Sequence, residues 1–414
     1  MKKIGVFFII IGVFSFVLMG LRFSDGKFDD GLKKNFILDS LVGITIGEAL
    51  DYAKKVGVEL EIYYQYSDVV DNDIVISQEI ESGSMIFKGE IIKLVVSRGM
   101  APLDVYKKYN VNELGRVPIM MYHGIVDMES NDTNYLGGNV DRDGYNRTSE
   151  AFREDLEFYY INGYRMIKLS DYVEGIVDVE LGMSPIVLTF DDGNENNFRV
   201  LDVEDGNLVI DPNCAVGILE EFKKKYPDYG VTATFFVNRG LFEQEEYNEK
   251  ILNWLVDNGY DVGNHTMSHV DFTKIDTDAT KEEVGGMYKM LDEIIPEKYV
   301  SIVALPFGSP YKKSHINYKF ILDGDYNDSD YHTKAVLRVG WEAEVSVFDV
   351  DFDSGFLKRI RAYDNDGRDF DIEMNFNMLK SNRFISDGDV NTVVVLDRDR
   401  ERVVFNSNRE IIVY

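Results

Sequence analysis

Apolar and polar positions along the chain fall into two regions with different rhythms. In the first, from Leu38 to Gly99, the residues Ile46, Ala49, Leu50 and Ala53 recur at helical intervals, which places them on one face. Gly57 follows, suited to the left-handed turn that ends a helix. Strand-like runs come next at Val58 to Tyr64, Ile74 to Ile80 and Ile91 to Val96, with Gly83 and Gly89 flanking a short segment before the last. The pattern predicts a small α+β unit of one helix and then three strands.

The second rhythm starts at Val117, after a stretch over residues 100–116 that reads as a linker. Here short apolar runs alternate with amphipathic ones, which is the signature of an α/β fold. Strands are expected at Val117 to Tyr122, Ile186 to Phe190, Thr232 to Val237, Tyr260 to Val262, Val300 to Leu305 and Lys334 to Val339. Helices are expected at Glu150 to Asn162, Ala215 to Lys225, Lys250 to Asn258 and Thr280 to Ile294. At least five βα repeats in so short a span fit a distorted (β/α) barrel, where chemistry collects at the C-terminal ends of the strands. The short β-like runs of residues 363–414 form a C-terminal extension with no motif that speaks to function.

Composition adds room and compartment. The 414 residues are 45% hydrophobic and 13% aromatic, enough for two folded units beside an anchor. A formal net charge of -29 excludes nucleic acid as a partner, because binding a phosphate backbone needs clustered Lys and Arg. The single cysteine, Cys214, allows no internal disulfide and reads as a core residue. At the N-terminus, Lys2 and Lys3 precede an uncharged run from Ile4 to Leu21, the length of a short transmembrane helix. Residues 1–22 therefore read as a single-pass signal-anchor with the lysines inside, which puts everything after it outside the cytoplasm. A cleaved signal would export the chain equally. Residues 23–37 read as a linker.

Two motifs stand at strand ends. Asp191 and Asp192 close the run Leu188-Thr189-Phe190, and adjacent carboxylates there repel unless a cation balances them. Alternation along a strand lets one bind a metal while its neighbour faces a water; the simpler alternative is a helix cap and a turn. His265 and His269 follow another strand, four residues apart like one helical turn, so both imidazoles can face one point. Two imidazoles and a carboxylate leave a zinc ion with an open position for water.

Thr189-Phe190-Asp191-Asp192-Gly193 and His265-Thr266-Met267-Ser268-His269 together resemble the polysaccharide deacetylases, a family of carbohydrate esterases, and the resemblance runs over residues 117–362. It implies Asp192, His265 and His269 as metal ligands, Asp191 as general base, Zn²⁺ as the metal with Co²⁺ or Ni²⁺ as alternatives, and acetylated sugars of peptidoglycan or a surface polysaccharide as substrate. Family members often read Arg-Pro-Pro-Tyr-Gly where this chain has Ala304-Leu305-Pro306-Phe307-Gly308, and a late Leu-x-His that supplies the general acid is absent. Met121-Tyr122-His123 resembles the opening of the branch acting on poly-N-acetylglucosamine, so His123 is expected to replace the missing acid. Arg359-Ile360 resembles a Pro-Arg-Ile segment of that branch, which makes Arg359 a candidate for orienting Asp191, a surface ion pair being the alternative. Trp341 is expected in the core, and His315 and His332 in polar loops.

Over residues 38–99, Leu41-Val42-Gly43, Val75-Ile76-Ser77-Gln78 and Ser97-Arg98-Gly99 resemble a PASTA module, without two of its usual prolines. This implies a cell-wall-binding unit or a spacer. The rival reading of the whole chain is a catalytically degenerate wall-binding or sensing protein on the same scaffold.

Overall fold

A computed structural model describes residues 35–67, 69–99, 103–404 and 409–414. The apolar run Ile4 to Leu21 lies outside them; among the described residues no helix is long and apolar enough to cross a membrane.

The first unit builds as its pattern dictates. Thr45 caps the helix Ile46–Val56 in a reciprocal box with Glu48, and Gly57 ends it at φ 84°. Ala49 and Ala53 pack inward, whereas Leu50 is exposed, so the buried face is narrower than the spacing suggested. The strand Ile91–Ser97 lies between Glu59–Gln65, parallel to it, and Val75–Gln78, antiparallel. Asn35–Ile37 also pairs with Met85–Phe87, so the stretch read as a linker ends inside this unit.

The second unit is built on parallel strands: β1 Ile119–Tyr122, β2 Tyr164–Met166, β3 Ser184–Phe190, β4 Thr234–Val237, β5 Asp261–Asn264, β6 Ile302–Ala304, β7 Ala335–Leu337 and β8 Ile360–Arg361. They run in the order β7-β6-β5-β4-β3-β1-β8, with β2 also beside β3. This is an α/β fold with a half-barrel sheet. One segment joins its two ends: Leu357 N–H donates to Val336 O at 2.8 Å, and a few residues on Ala362 N–H donates to Met121 O at 3.1 Å. Alternation along β3 sends Ile186, Leu188 and Phe190 into the cluster shared with the helices Ser149–Ile161 and Ala215–Lys225. Val187 packs instead with Ile119, Phe236, Ala304 and Leu337. Thr189 and Asp191 share the side of Val187, which aims Asp191 at the inside of the curve.

Residues 103–116 are no free linker. Leu103–Tyr109 is a helix, and Asn112 exchanges backbone hydrogen bonds with Ile385 at 2.9 and 3.1 Å. The C-terminal extension packs into the same unit through the helix Ile372–Leu379 and the parallel pair Thr392–Val395 and Glu410–Val413, and Phe376, Phe384 and Val393 are buried. Trp341 is 56% exposed rather than in the core. The adjoining Gly340 lies against Arg359, where a Cβ would come within 2.8 Å of backbone nitrogen and oxygen.

Candidate active site

The two sequence motifs meet at the C-terminal ends of the strands. Asp191 follows β3, and its N–H is tied to Tyr122 O of β1 at 2.9 Å. Asp192 adopts φ 77°, unusual for a residue with a Cβ. Its Oδ1 lies 3.3 Å from both His265 Nε2 and His269 Nε2. The histidine segment is a loop and not the helical turn expected, with Thr266 at φ 67° and His269 at φ 54°. Asn264 pins it, accepting from Thr266 N–H at 2.8 Å and donating to Val284 O at 3.0 Å.

His265 is buried, and its Nδ1 stands 2.9 Å from Ala304 O. A carbonyl accepts only, so Nδ1 carries the proton and Nε2 presents a lone pair. That Nε2 has no hydrogen-bond partner although a carboxylate oxygen stands beside it. Two lone pairs this close are relieved by either a proton or a metal ion between them. The ligand atoms of Asp192, His265 and His269 all lie within 4.8 Å of one another, so the donor set and its geometry fit a divalent metal ion.

Arg359 is fully buried, which excludes the surface ion pair. Its two terminal nitrogens donate to the two oxygens of Asp191 at 2.7 Å each, and its Nε donates to Arg338 O at 3.1 Å. Burial alone would raise the Asp191 carboxyl, but the charge of Arg359 beside it more than reverses this and holds it below the usual range. Burial likewise works to raise Asp192, and the neighbouring His265, whenever it is an imidazolium, drives it well below that range. His123 completes the cluster. Burial lowers its pKa, against the pull of Asp191 and Asp192, and its Nδ1 is buried without a partner. Asn197 fixes its backbone, donating to His123 O at 2.6 Å.

Sequence reasoning missed three neighbours. The Tyr145 ring meets His123 edge-on at 4.9 Å, Thr189 Oγ1 accepts from Arg359 at 3.2 Å, and Asn197 holds His123. Only Thr189 stood in a motif. The Phe307 ring, 57% exposed, meets His269 at 4.6 Å. His315 and His332 take no part; His332 ends a hairpin strand beside Asp323.

Residues 178–319 match the polysaccharide deacetylase family, and residues 36–98 match the PASTA domain. The chain carries a polysaccharide deacetylase domain and a PASTA domain. Among solved structures, the deacetylase PplD of Streptococcus pyogenes in complex with acetate is similar at 19% identity, over 60% of this chain and 93% of that one, with a TM-score of 0.44. The peptidoglycan deacetylase PdaC of Bacillus subtilis is similar at 23% identity over 32% and 55%, with a TM-score of 0.23. The extracellular region of the Ser/Thr kinase PrkC of Staphylococcus aureus is similar at 28% identity over 16% and 24%, with a TM-score of 0.16. The family match of the deacetylase domain contains Asp191, Asp192, His265 and His269. His123 lies before it and Arg359 after it, and the folded chain brings both to the other four.

Proposed function

We propose that this chain is a metal-dependent deacetylase acting outside the cytoplasm, which hydrolyses acetyl groups from N-acetylated sugars of a cell-wall or surface polysaccharide. One observation carries the reading: the converging ligand atoms of Asp192, His265 and His269 stand beside an acid, Asp191, that Arg359 keeps charged in a buried site. A divalent ion held by these three, most simply Zn²⁺, would acidify a water and polarise the acetyl carbonyl.

The remaining chemistry belongs to side chains. Asp191, fixed by the paired Arg359 hydrogen bonds, takes the proton from the attacking water as the tetrahedral intermediate forms. A backbone N–H near Phe307 would help hold the developing oxyanion. His123 protonates the departing amine as the intermediate collapses. Phe307 and Trp341, both exposed, offer ring faces to a sugar. The Met121-Tyr122-His123 opening favours poly-N-acetylglucosamine over peptidoglycan, and we read the N-terminal run as the membrane anchor and the PASTA unit as the wall contact.

The test is acetate release from both polymers by the full chain, before and after removal of metal, beside His265→Ala. Loss of bound metal and of acetate release together in that variant supports the reading; an unchanged metal content overturns the ligand assignment.

A further inference from the structure

A second cleft lies on the flank of the deacetylase domain, away from the metal ligands. The helices Ser149–Ile161 and Ile372–Leu379 contribute its walls, and its volume of about 1030 Å³ is at the upper end for ligand clefts. Its surface pairs flat rings with polar groups. Phe158 is 39% exposed, and Phe376 holds it edge-on at 5.2 Å while itself stacking on Tyr159 at 5.1 Å. Tyr109 is 40% exposed and is also in the lining. Beside these rings stand the amides of Asn112, Asn162 and Asn377 and the guanidinium of Arg383, which is fixed by donating to Asn162 O at 2.6 Å.

A sugar ring has an apolar C–H face that stacks on an aromatic ring and hydroxyl and amide groups at its edge, so rings bordered by amides and a guanidinium match it on both counts. Charge points the same way. Arg147, Lys380, Arg383 and Arg398 line the cleft with Asp155, Asp364 and Glu373, a near balance in a chain of formal charge -29. A neutral polymer meets no opposing field there.

The cleft is linked to the catalytic centre by a run of partly exposed residues. Asp364 lines both it and a neighbouring cleft of about 400 Å³ that holds Tyr135, Arg361 and Tyr363. Arg361 lies 3.9 Å over the Tyr363 ring and 5.3 Å over the Tyr145 ring, and Tyr145 packs on His123. We propose that this flank cleft is a distal binding site for the same N-acetylated polysaccharide, the polymer running from His123 over Tyr145 and Arg361 to the ring of Phe158. This rests on the deacetylase reading and adds to it that the enzyme selects long chains.

The experiment compares the full chain on the dimer and the octamer of N-acetylglucosamine, with Phe158→Ala and Asn377→Trp as variants. The first removes the platform; the second fills the cleft from an exposed position and removes no buried group. The wild type is expected to show kcat/KM at least about tenfold higher on the octamer. Both variants should lose that advantage through KM with kcat unchanged, and should match the wild type on the dimer. An octamer advantage that survives in either folded variant, or its absence in the wild type, overturns the distal site and leaves the deacetylase reading standing. No acetate from either oligomer would instead overturn the deacetylase reading, and this inference with it.

Discussion

Replacing Arg359 with Met keeps the length and apolar stem of the side chain and removes the only cation bonded to Asp191 among the described residues. Because Arg359 is fully buried and Asp191 nearly so, the carboxylate left behind has neither water nor partner. Breaking a buried pair in this way costs about 3 to 5 kcal/mol. At roughly 2 to 4 °C per kcal/mol for a domain of this order, the melting temperature should fall by roughly 6 to 20 °C. The base should fail as well, since burial without Arg359 raises the Asp191 carboxyl into its neutral form, and turnover should drop by at least about 10²-fold. The assay is denaturant or thermal unfolding with metal removed from every sample, on Arg359→Met, Asp191→Asn and the double variant. The double variant should recover about 2 to 3 kcal/mol relative to the sum of the singles. Strict additivity, or a loss in Arg359→Met of less than about 1 kcal/mol, within the range of an unremarkable surface change, would refute the view that this guanidinium holds the base charged.

Three further outcomes are expected. Asp191→Asn should keep its metal while acetate release falls by at least about 10²-fold, and full activity would remove the base assignment. His123→Asn should likewise lose turnover with metal content intact, and near-normal acetate release would return His123 to a role in packing. Glu113 and Asp387 are buried side by side, and burial raises both carboxyls, Asp387 to about 6. The native state therefore holds more protons than the unfolded chain between the ordinary carboxylate range, roughly pH 4, and pH 6, so the stability they lend is present below that window and is lost as pH rises through it. Glu113→Gln, which keeps a donor toward Asp387 without a titrating proton, should flatten that fall in thermal scans from acid to neutral pH, and an unchanged slope would locate the pH dependence elsewhere.

What the sequence disclosed was what sits in one contiguous run. The helix Ala215–Lys225 begins and ends where its apolar periodicity does, and the strand ends carrying Asp191 and His265 were legible because each motif follows an unbroken apolar stretch. What it hid depends on partners far along the chain. Asn112 looked like linker because Ile385, which gives it structure, is hundreds of residues away. β8 is two residues long, too short for any period, so the depth at which Arg359 sits could not be seen from its neighbours. The four-residue spacing of His265 and His269 suggested a helical turn, but left-handed residues at Thr266 and His269 produce the same convergence from a loop. Leu50 and Trp341 fitted core positions by residue type, and tertiary packing left both in solvent.

The fold-back of residues 112–117 also has a mechanical side. Asn112 is bonded to Ile385, Glu113 to Val394, Arg116 to Asn382 and Val117 to Glu344, all before the chain reaches β1 and His123. Tension entering from the PASTA side therefore meets this clasp before it reaches β1. β1 and His123 are thus braced on their N-terminal side by segments from far along the chain, and a pull on residues 103–111 loads those pairings before it loads the strand.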